Sequence, residues 1–212
     1  MPLIKHILAK YTLAKDALVN YLLAAALCSL TACSQLPVST PPAAPVVAAA
    51  QLSALQQQQF TEGKALLVAG QYSAAQTIFS ALATQQGSFA GIWYNLALSQ
   101  WHTGDAAGAQ NSLQQAVKAS ATHSASHNLL GILARQQGNF RQAERHFQRA
   151  LQAQPDYALA HKNLAFLYEL YLGEPLAAHY HYQQYYAMTQ DEQAKAWLAL
   201  LEQQLEQEAA NE

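Results

Sequence analysis

The sequence predicts an all-α protein built from a repeating unit of 34 residues, and three observations support this prediction. Gly70, Gly104 and Gly138 lie 34 residues apart. Further columns repeat at the same interval with residues of matching character: Ala75, Ala109 and Ala143; Phe79, Leu113 and Phe147; Leu82, Ala116 and Ala150. After the last repeat, apolar residues recur at helical spacing, at Ala194, Trp197, Leu198, Leu201 and Leu205.

This pattern resembles the tetratricopeptide repeat (TPR), whose unit is a helix-turn-helix of 34 residues. The third unit carries the fullest set of matching positions: Leu130, Gly131, Gly138, Phe140, Ala143, Phe147, Ala150 and Pro155. The second unit supplies Trp93, Leu96, Gly104, Ala109 and Ala116. The resemblance implies a right-handed α-solenoid in a TPR domain over residues 51–189, made of about four units near 56–89, 90–123, 124–157 and 158–189.

The glycine in the middle of each unit predicts the end of its first helix, because the turn there needs the left-handed conformation that glycine adopts freely. Gln71-Tyr72 and Asn139-Phe140 are then expected to begin second helices. The alanines allow the two helices of a unit to approach closely. Since one unit cannot bury its apolar face alone, neighbouring units must stack.

The fourth unit departs from the pattern, because its turn at Leu172-Gly173-Glu174-Pro175 comes one residue late. We expect the extra residue to lie in a loop, where it costs little. Pro175 suits the first turn of the following helix. The residues that replace Ala143, Phe147 and Ala150 in this unit are Ala178, Tyr182 and Tyr185.

Residues 190–212 predict a capping helix and tail. Thr189-Gln190-Asp191-Glu192 matches a capping box. The helix that follows has one apolar face to close the array and a polar face of Gln and Glu for solvent. A partner-binding or membrane helix is the alternative, although acidic side chains disfavour an anionic bilayer.

The N-terminal segment resembles the signal of a bacterial lipoprotein. Three lysines precede the apolar run Ala17 to Leu30, which is followed by Leu30-Thr31-Ala32-Cys33. The run of about 14 residues is shorter than the ~20 that span a bilayer, so an uncleaved anchor fits less well, and plain secretion is the other alternative. The resemblance implies a signal peptide over 1–32, a lipid-modified Cys33, and, from Ser34, an outer-membrane anchor with the body facing the periplasm.

Composition sets further limits on function. Residues 33–50 form a linker rich in Pro and Ala. Of 11 basic and 13 acidic residues, three lysines and Asp16 precede Cys33, which leaves eight against twelve in the mature chain. Nucleic acid is therefore an unexpected partner, because it requires a concentrated basic face. Cys28 and Cys33 are the two cysteines, so the mature chain has no thiol for a disulfide or a zinc site.

The histidines do not form a recognisable catalytic or metal-binding motif. His179 and His181 are two residues apart on a helix and point to different sides. His123 and His127 are four apart, but no Glu follows His123, and His127 occupies the packing column of Trp93. We therefore predict no enzyme, no metal and no cofactor beyond the covalent lipid.

The TPR resemblance implies instead a concave groove lined by the first helix of each unit. The groove positions carried over to this chain are Phe60, Lys64, Tyr94, Asn95, Leu98, Trp101, Asn128, Ile132, Arg135, Lys162, Asn163, Phe166 and Glu169. Asn could pair with a peptide backbone, and Tyr94 and Trp101 could act as apolar anchors. The Lys, Asn and Arg arrangement of the family's carboxylate clamp is not reproduced.

The sequence thus predicts an outer-membrane-tethered scaffold that binds a peptide segment of another protein. It resembles TPR lipoproteins of pilus secretin assembly. Two other roles remain open: recruitment of peptidoglycan hydrolases or proteases, and an accessory role in an outer-membrane transport system of the TonB type. A structural lipoprotein that assembles with copies of itself is the alternative from a different class.

Overall fold

The computed structural model describes residues 52–211. The predicted signal peptide, Cys33 and the linker lie outside these residues. Residues 52–201 form one compact unit, and residues 202–211 lie outside it. Within the described part, the secondary structure is entirely helical, so the all-α prediction is confirmed. No helix in residues 52–211 has the length and apolar character needed to span a bilayer.

Four helical hairpins follow one another along the chain. Their helices are α1 (Ala54–Val68) with α2 (Tyr72–Gln85), α3 (Ala90–His102) with α4 (Ala106–Ala119), α5 (Ser124–Gln136) with α6 (Phe140–Ala153), and α7 (Ala158–Leu167) with α8 (Pro175–Thr189). A last helix, α9, covers Glu192–Ala210. The helices of the four hairpins pack on their neighbours in chain order, which gives the predicted α-solenoid.

The turn inside each hairpin is built on a glycine, as predicted. Gly70, Gly104, Gly138 and Gly173 have φ of 72°, 86°, 77° and 64°. A Cβ at any of the four would meet nothing within 4 Å. Glycine is therefore required by the left-handed backbone and not by crowding.

The core lies between the two helices of each hairpin and between successive hairpins. The small-residue column of Ala75, Ala109 and Ala143 is fully buried, as are Phe79, Leu113 and Phe147. Glycine on the first helix makes room for the two phenylalanines, because a Cβ on Gly63 would lie 2.7 Å from the Phe79 ring and one on Gly131 would lie 2.5 Å from the Phe147 ring. The repeating residues are thus core positions.

The extra residue of the fourth unit lies inside a helix and not in a loop. Helix α7 continues as a π-helical turn over Tyr168–Leu172. A π turn closes its hydrogen bonds one residue further along and so accommodates one added residue. The loop expectation was therefore wrong: the π turn lets Gly173 keep its left-handed conformation and Tyr182 keep the fully buried place of Phe147.

Helix α9 begins differently from the predicted capping box. Thr189 is the last residue of α8, and its hydroxyl donates to the carbonyl of Tyr185. The N–H of Gln193 instead donates to Oδ1 of Asp191 (3.0 Å). Asp191 is the cap, because Thr189 still belongs to α8 and α9 begins at Glu192, two residues later than the box predicts. Ala194 and Leu201 are buried.

A capping box that the sequence analysis missed begins the array. The hydroxyl of Ser53 accepts from the N–H of Gln56, and the N–H of Ser53 donates to Oε1 of Gln56 (2.9 Å). The signal was present as Ser-x-x-Gln before an apolar helix.

Candidate protein-binding groove

The predicted groove residues lie on the first helices of the four hairpins, with one in the π turn. Helix α1 carries Phe60 and Lys64; α3 carries Tyr94, Asn95, Leu98 and Trp101; α5 carries Asn128, Ile132 and Arg135; α7 carries Lys162, Asn163 and Phe166; the π turn carries Glu169. Asn95 and Asn128 are buried, Lys64 is exposed, and the other positions are partly buried in every hairpin. The contacts that each side chain makes therefore distinguish these positions from one another.

Five partly buried positions lie on α3 and α5, and we call them the groove row: Tyr94, Leu98, Trp101, Ile132 and Arg135. The four apolar members are half-buried and pack on the core around Leu113, Leu129 and Leu133. Each is thus fixed on its inner side and open on its outer side. Burial, followed by the nearby Tyr157, raises the pKa of Tyr94 to about 12.

Arg135 supplies a positive charge at the end of this row. Its side chain is half-buried, and its Nε is enclosed without a hydrogen-bond partner among the residues that the structure describes. An enclosed N–H without an acceptor costs about 1–3 kcal/mol. Arg135 follows Trp101 by one repeat and precedes Glu169 by one repeat. Arg135 thus holds the repeat position that Trp101 holds in the second hairpin, and no carboxylate is bonded to its guanidinium in the described part of the chain.

The asparagines are largely engaged within the protein. Nδ2 of Asn95 donates to the carbonyl of Gly91 (2.6 Å), and Asn95 is buried. Nδ2 of Asn163 donates to Oδ1 of Asn128 (2.9 Å), which joins the third and fourth hairpins. Asn128 is buried as well. The asparagine amides are therefore engaged mainly in hydrogen bonds within the protein and leave few groups to bind a peptide backbone.

Two of the fourth-hairpin positions, Phe166 and Lys162, contact Trp197 of α9. The Phe166 and Trp197 rings lie 4.9 Å apart edge to face. Nζ of Lys162 lies 5.2 Å from the Trp197 ring centre and 5.3 Å from that of Tyr185, within cation–π range. Glu169 accepts a hydrogen bond from the Tyr182 hydroxyl (2.5 Å). Burial, and then this bond, raise the pKa of Tyr182.

At the other end, Phe60 packs edge to face on Phe79, with ring centres 5.7 Å apart. Lys64 is exposed, with its Nζ 6.0 Å from the Phe60 ring centre. The structure thus places the groove row on α3 and α5, leaves Phe60 and Lys64 on α1, and sets Lys162 and Phe166 of α7 against Trp197 of α9.

The histidines pair between the two helices of one hairpin, which the sequence alone did not predict. Nδ1 of His127 faces Nδ1 of His146 at 3.5 Å, and Nδ1 of His161 faces Nδ1 of His181 at 2.8 Å. His127 does occupy the packing column of Trp93, as expected, and is 4% exposed. In residues 52–211, no group of three or more His, Cys, Asp or Glu is arranged to hold a metal ion.

The fold and this face define the chain as an α-solenoid repeat protein. Residues 88–156 match the tetratricopeptide repeat family. This part of the chain therefore carries tetratricopeptide repeats, and repeats of this kind serve as scaffolds for interactions between proteins and are generally not catalytic. No curated protein matches the chain.

Several solved structures share this fold. Pseudomonas aeruginosa PilF is 15% identical with a TM-score of 0.65, and the match covers 72% of this chain and 69% of PilF. A thermophilic TPR protein of Thermus thermophilus is 23% identical with a TM-score of 0.59, covering 71% of this chain and 82% of that protein. The protein MamA is 15% identical with a TM-score of 0.55, covering 65% and 74%. These identities establish a common fold and no more.

Proposed function

We propose that this chain is an adaptor that holds a segment of another protein along the groove row, while a lipid on Cys33 tethers it to the outer membrane with the TPR domain in the periplasm. The observation that carries the binding half is the groove row itself. It presents two aromatic and two aliphatic side chains that are partly exposed and packed on the core, and Arg135 on α5 adds a positive charge. Aromatic residues and arginine are the side chains most often decisive at interfaces.

The pathway is a second part of the proposal. We take assembly of a pilus or secretion system as the setting, because the sequence resembles TPR lipoproteins of pilus secretin assembly. Recruitment of peptidoglycan hydrolases or proteases, or a TonB-type system, would use the same groove and the same tether.

Self-assembly is a second candidate, favoured by a separate surface. Leu170 and Tyr171 of the π turn are 61% and 45% exposed, and the Tyr171 ring stacks on Phe140 with centres 4.5 Å apart. A second copy could cover this patch. Sedimentation of the lipid-free protein separates the two candidates, because the adaptor is expected as a monomer and the self-assembling form as a tight dimer.

Site-specific photocrosslinking in the cell envelope tests the groove. The photoreactive residue replaces Leu98, which is half-exposed and belongs to the groove row. The matched control replaces Gln114, an exposed residue on α4 of the same hairpin, and a second control replaces Gln203 on α9. We expect a discrete captured protein at Leu98 that is lost with Arg135→Gln. Equal capture at all three sites would contradict the groove.

The tether has its own test. Cys33→Ala should abolish processing and release the protein from the membrane fraction, because the proposed lipid anchor is attached to that residue alone. Normal processing together with membrane fractionation of that variant would refute the lipid attachment without affecting the groove.

A further inference from the structure

One ring in each of three hairpins makes the same hydrogen bond to the carbonyl six residues earlier. Nε1 of Trp93 donates to Gly87 (2.8 Å), and Nε2 of His127 and His161 lie 3.0 Å from the carbonyls of Ala121 and Pro155. An indole nitrogen only donates. A carbonyl oxygen only accepts, so each imidazole in the same place must carry its proton on Nε2. Nδ1 of the neutral ring is then an acceptor.

In the third hairpin this acceptor meets a second histidine. Nδ1 of His127 lies 3.5 Å from Nδ1 of His146 on α6, and the rings are stacked 5.8 Å apart. The fourth hairpin repeats the arrangement with His161 and His181 at 2.8 Å. Such a contact is satisfied while the first-helix imidazole is neutral. Once both rings are protonated, two N–H groups face each other.

The surroundings of the third-hairpin pair make a positive charge there unfavourable. The charged and titratable groups that bear on it are His123 at the start of α5 and Arg145 and Arg149 on α6. None of these is acidic. Burial first, and then His127 and the two arginines, lower the pKa of His146 to about 4. Burial likewise lowers the pKa values of His127 and His123.

This cluster touches the groove row. The ring of His123 lies 5.5 Å from the ring of Tyr94, centre to centre, and Tyr94 is in turn near Tyr157. His123 also caps α5, with its Nδ1 2.8 Å from the hydroxyl of Ser126. A change in His123, His127 or His146 therefore reaches the place where the second and third hairpins meet.

We infer that the cluster of His123, His127 and His146 makes the groove acid-sensitive, so that protonation loosens the third hairpin and releases a bound segment at Tyr94. The inference rests on the proposed groove function. The direction follows from linkage: since the folded state binds these protons less tightly than the unfolded chain, stability is fully present above about pH 6.5 and is lost as the pH falls towards 4.

The second hairpin supplies the variant for a test. In place of His127 and His146 it carries Trp93 and the buried Ser112. The double variant His127→Trp/His146→Ser copies that pair and retains the ring N–H donor. His146→Gln is a milder variant that removes one titrating group if the double variant does not fold. His102→Gln changes an exposed histidine elsewhere and is the matched control.

The first measurement is the midpoint of urea unfolding, monitored by circular dichroism at about pH 7.5 and at about pH 4.5. The wild-type and His102→Gln midpoints should fall together with acid, whereas that of the double variant or of His146→Gln should fall clearly less. Parallel curves for all of them would overturn the inference.

The second measurement is photocapture at Leu98 from an envelope extract at the same two pH values. Wild-type capture should drop roughly tenfold in acid, which corresponds to about one proton linked over one pH unit, and the histidine variant should retain it. Capture that is equal at both pH values overturns the regulation and leaves the groove function standing. If nothing is captured at either pH, the groove function fails and the regulation fails with it.

Discussion

The contact between Gly131 and Phe147 offers a quantitative test of how the hairpins pack. Phe147 is fully buried, and a Cβ on Gly131 would lie 2.5 Å from its Cε1 and 2.6 Å from its Cδ1. The second hairpin solves the same problem with Ala97 and Leu113. Gly131→Ala is therefore expected to be harmful only while the phenylalanine is present.

The expected magnitudes follow from that geometry. Overpacking a core costs about 1–3 kcal/mol, and a contact this short belongs at the upper end. Alanine regains about 1 kcal/mol over glycine inside a helix, which leaves a net loss of about 2 kcal/mol. Phe147→Leu alone removes part of a buried ring and should cost roughly 1–2 kcal/mol. In the double variant the new methyl occupies space that the ring vacated.

The assay is a double-mutant cycle of urea unfolding followed by far-ultraviolet circular dichroism. We expect the double variant to be more stable than the sum of the single losses predicts, by about 1 kcal/mol or more. The control cycle combines Gly131→Ala with Phe79→Leu, which lies in the first hairpin and should be additive within about 0.5 kcal/mol. Additivity in the Gly131 and Phe147 cycle as well would refute the packing argument.

Two further predictions concern single residues. Gly138→Ala should lower stability by about 1 kcal/mol through its φ of 77° alone, since a Cβ there meets nothing within 4 Å, and urea midpoints should show a loss without any rescue by core variants. Burial is the largest cause that raises the pKa of both Tyr94 and Tyr168 to about 12. The folded protein therefore retains phenolic protons that the unfolded chain releases near pH 10. Its stability should fall as the pH rises from about 10 to 12. Tyrosinate absorbance and circular dichroism measured together check this, and ionisation of all tyrosines near pH 10 with the helices intact would contradict it.

The sequence by itself determined the repeat and the positions of its turns. Gly70 and Gly138 could be placed at turns because the left-handed conformation is a local backbone property that glycine tolerates best. Tyr72 and Phe140 begin helices as expected, directly after those turns. Such features depend on a few neighbouring residues and recur at a fixed period, so they can be recognised without knowledge of the packing.

Only the tertiary structure decided which groove residues remain accessible and which side chains meet. Lys162 could not be recognised as a partner of Trp197, because Trp197 lies 35 residues later in the chain. The pairing of His127 with His146 likewise depends on how two helices pack, and the added residue of the fourth unit could have been accommodated in a loop or in a helix. Side-chain partners are chosen by competition among neighbours in space, and a one-dimensional period does not contain that information.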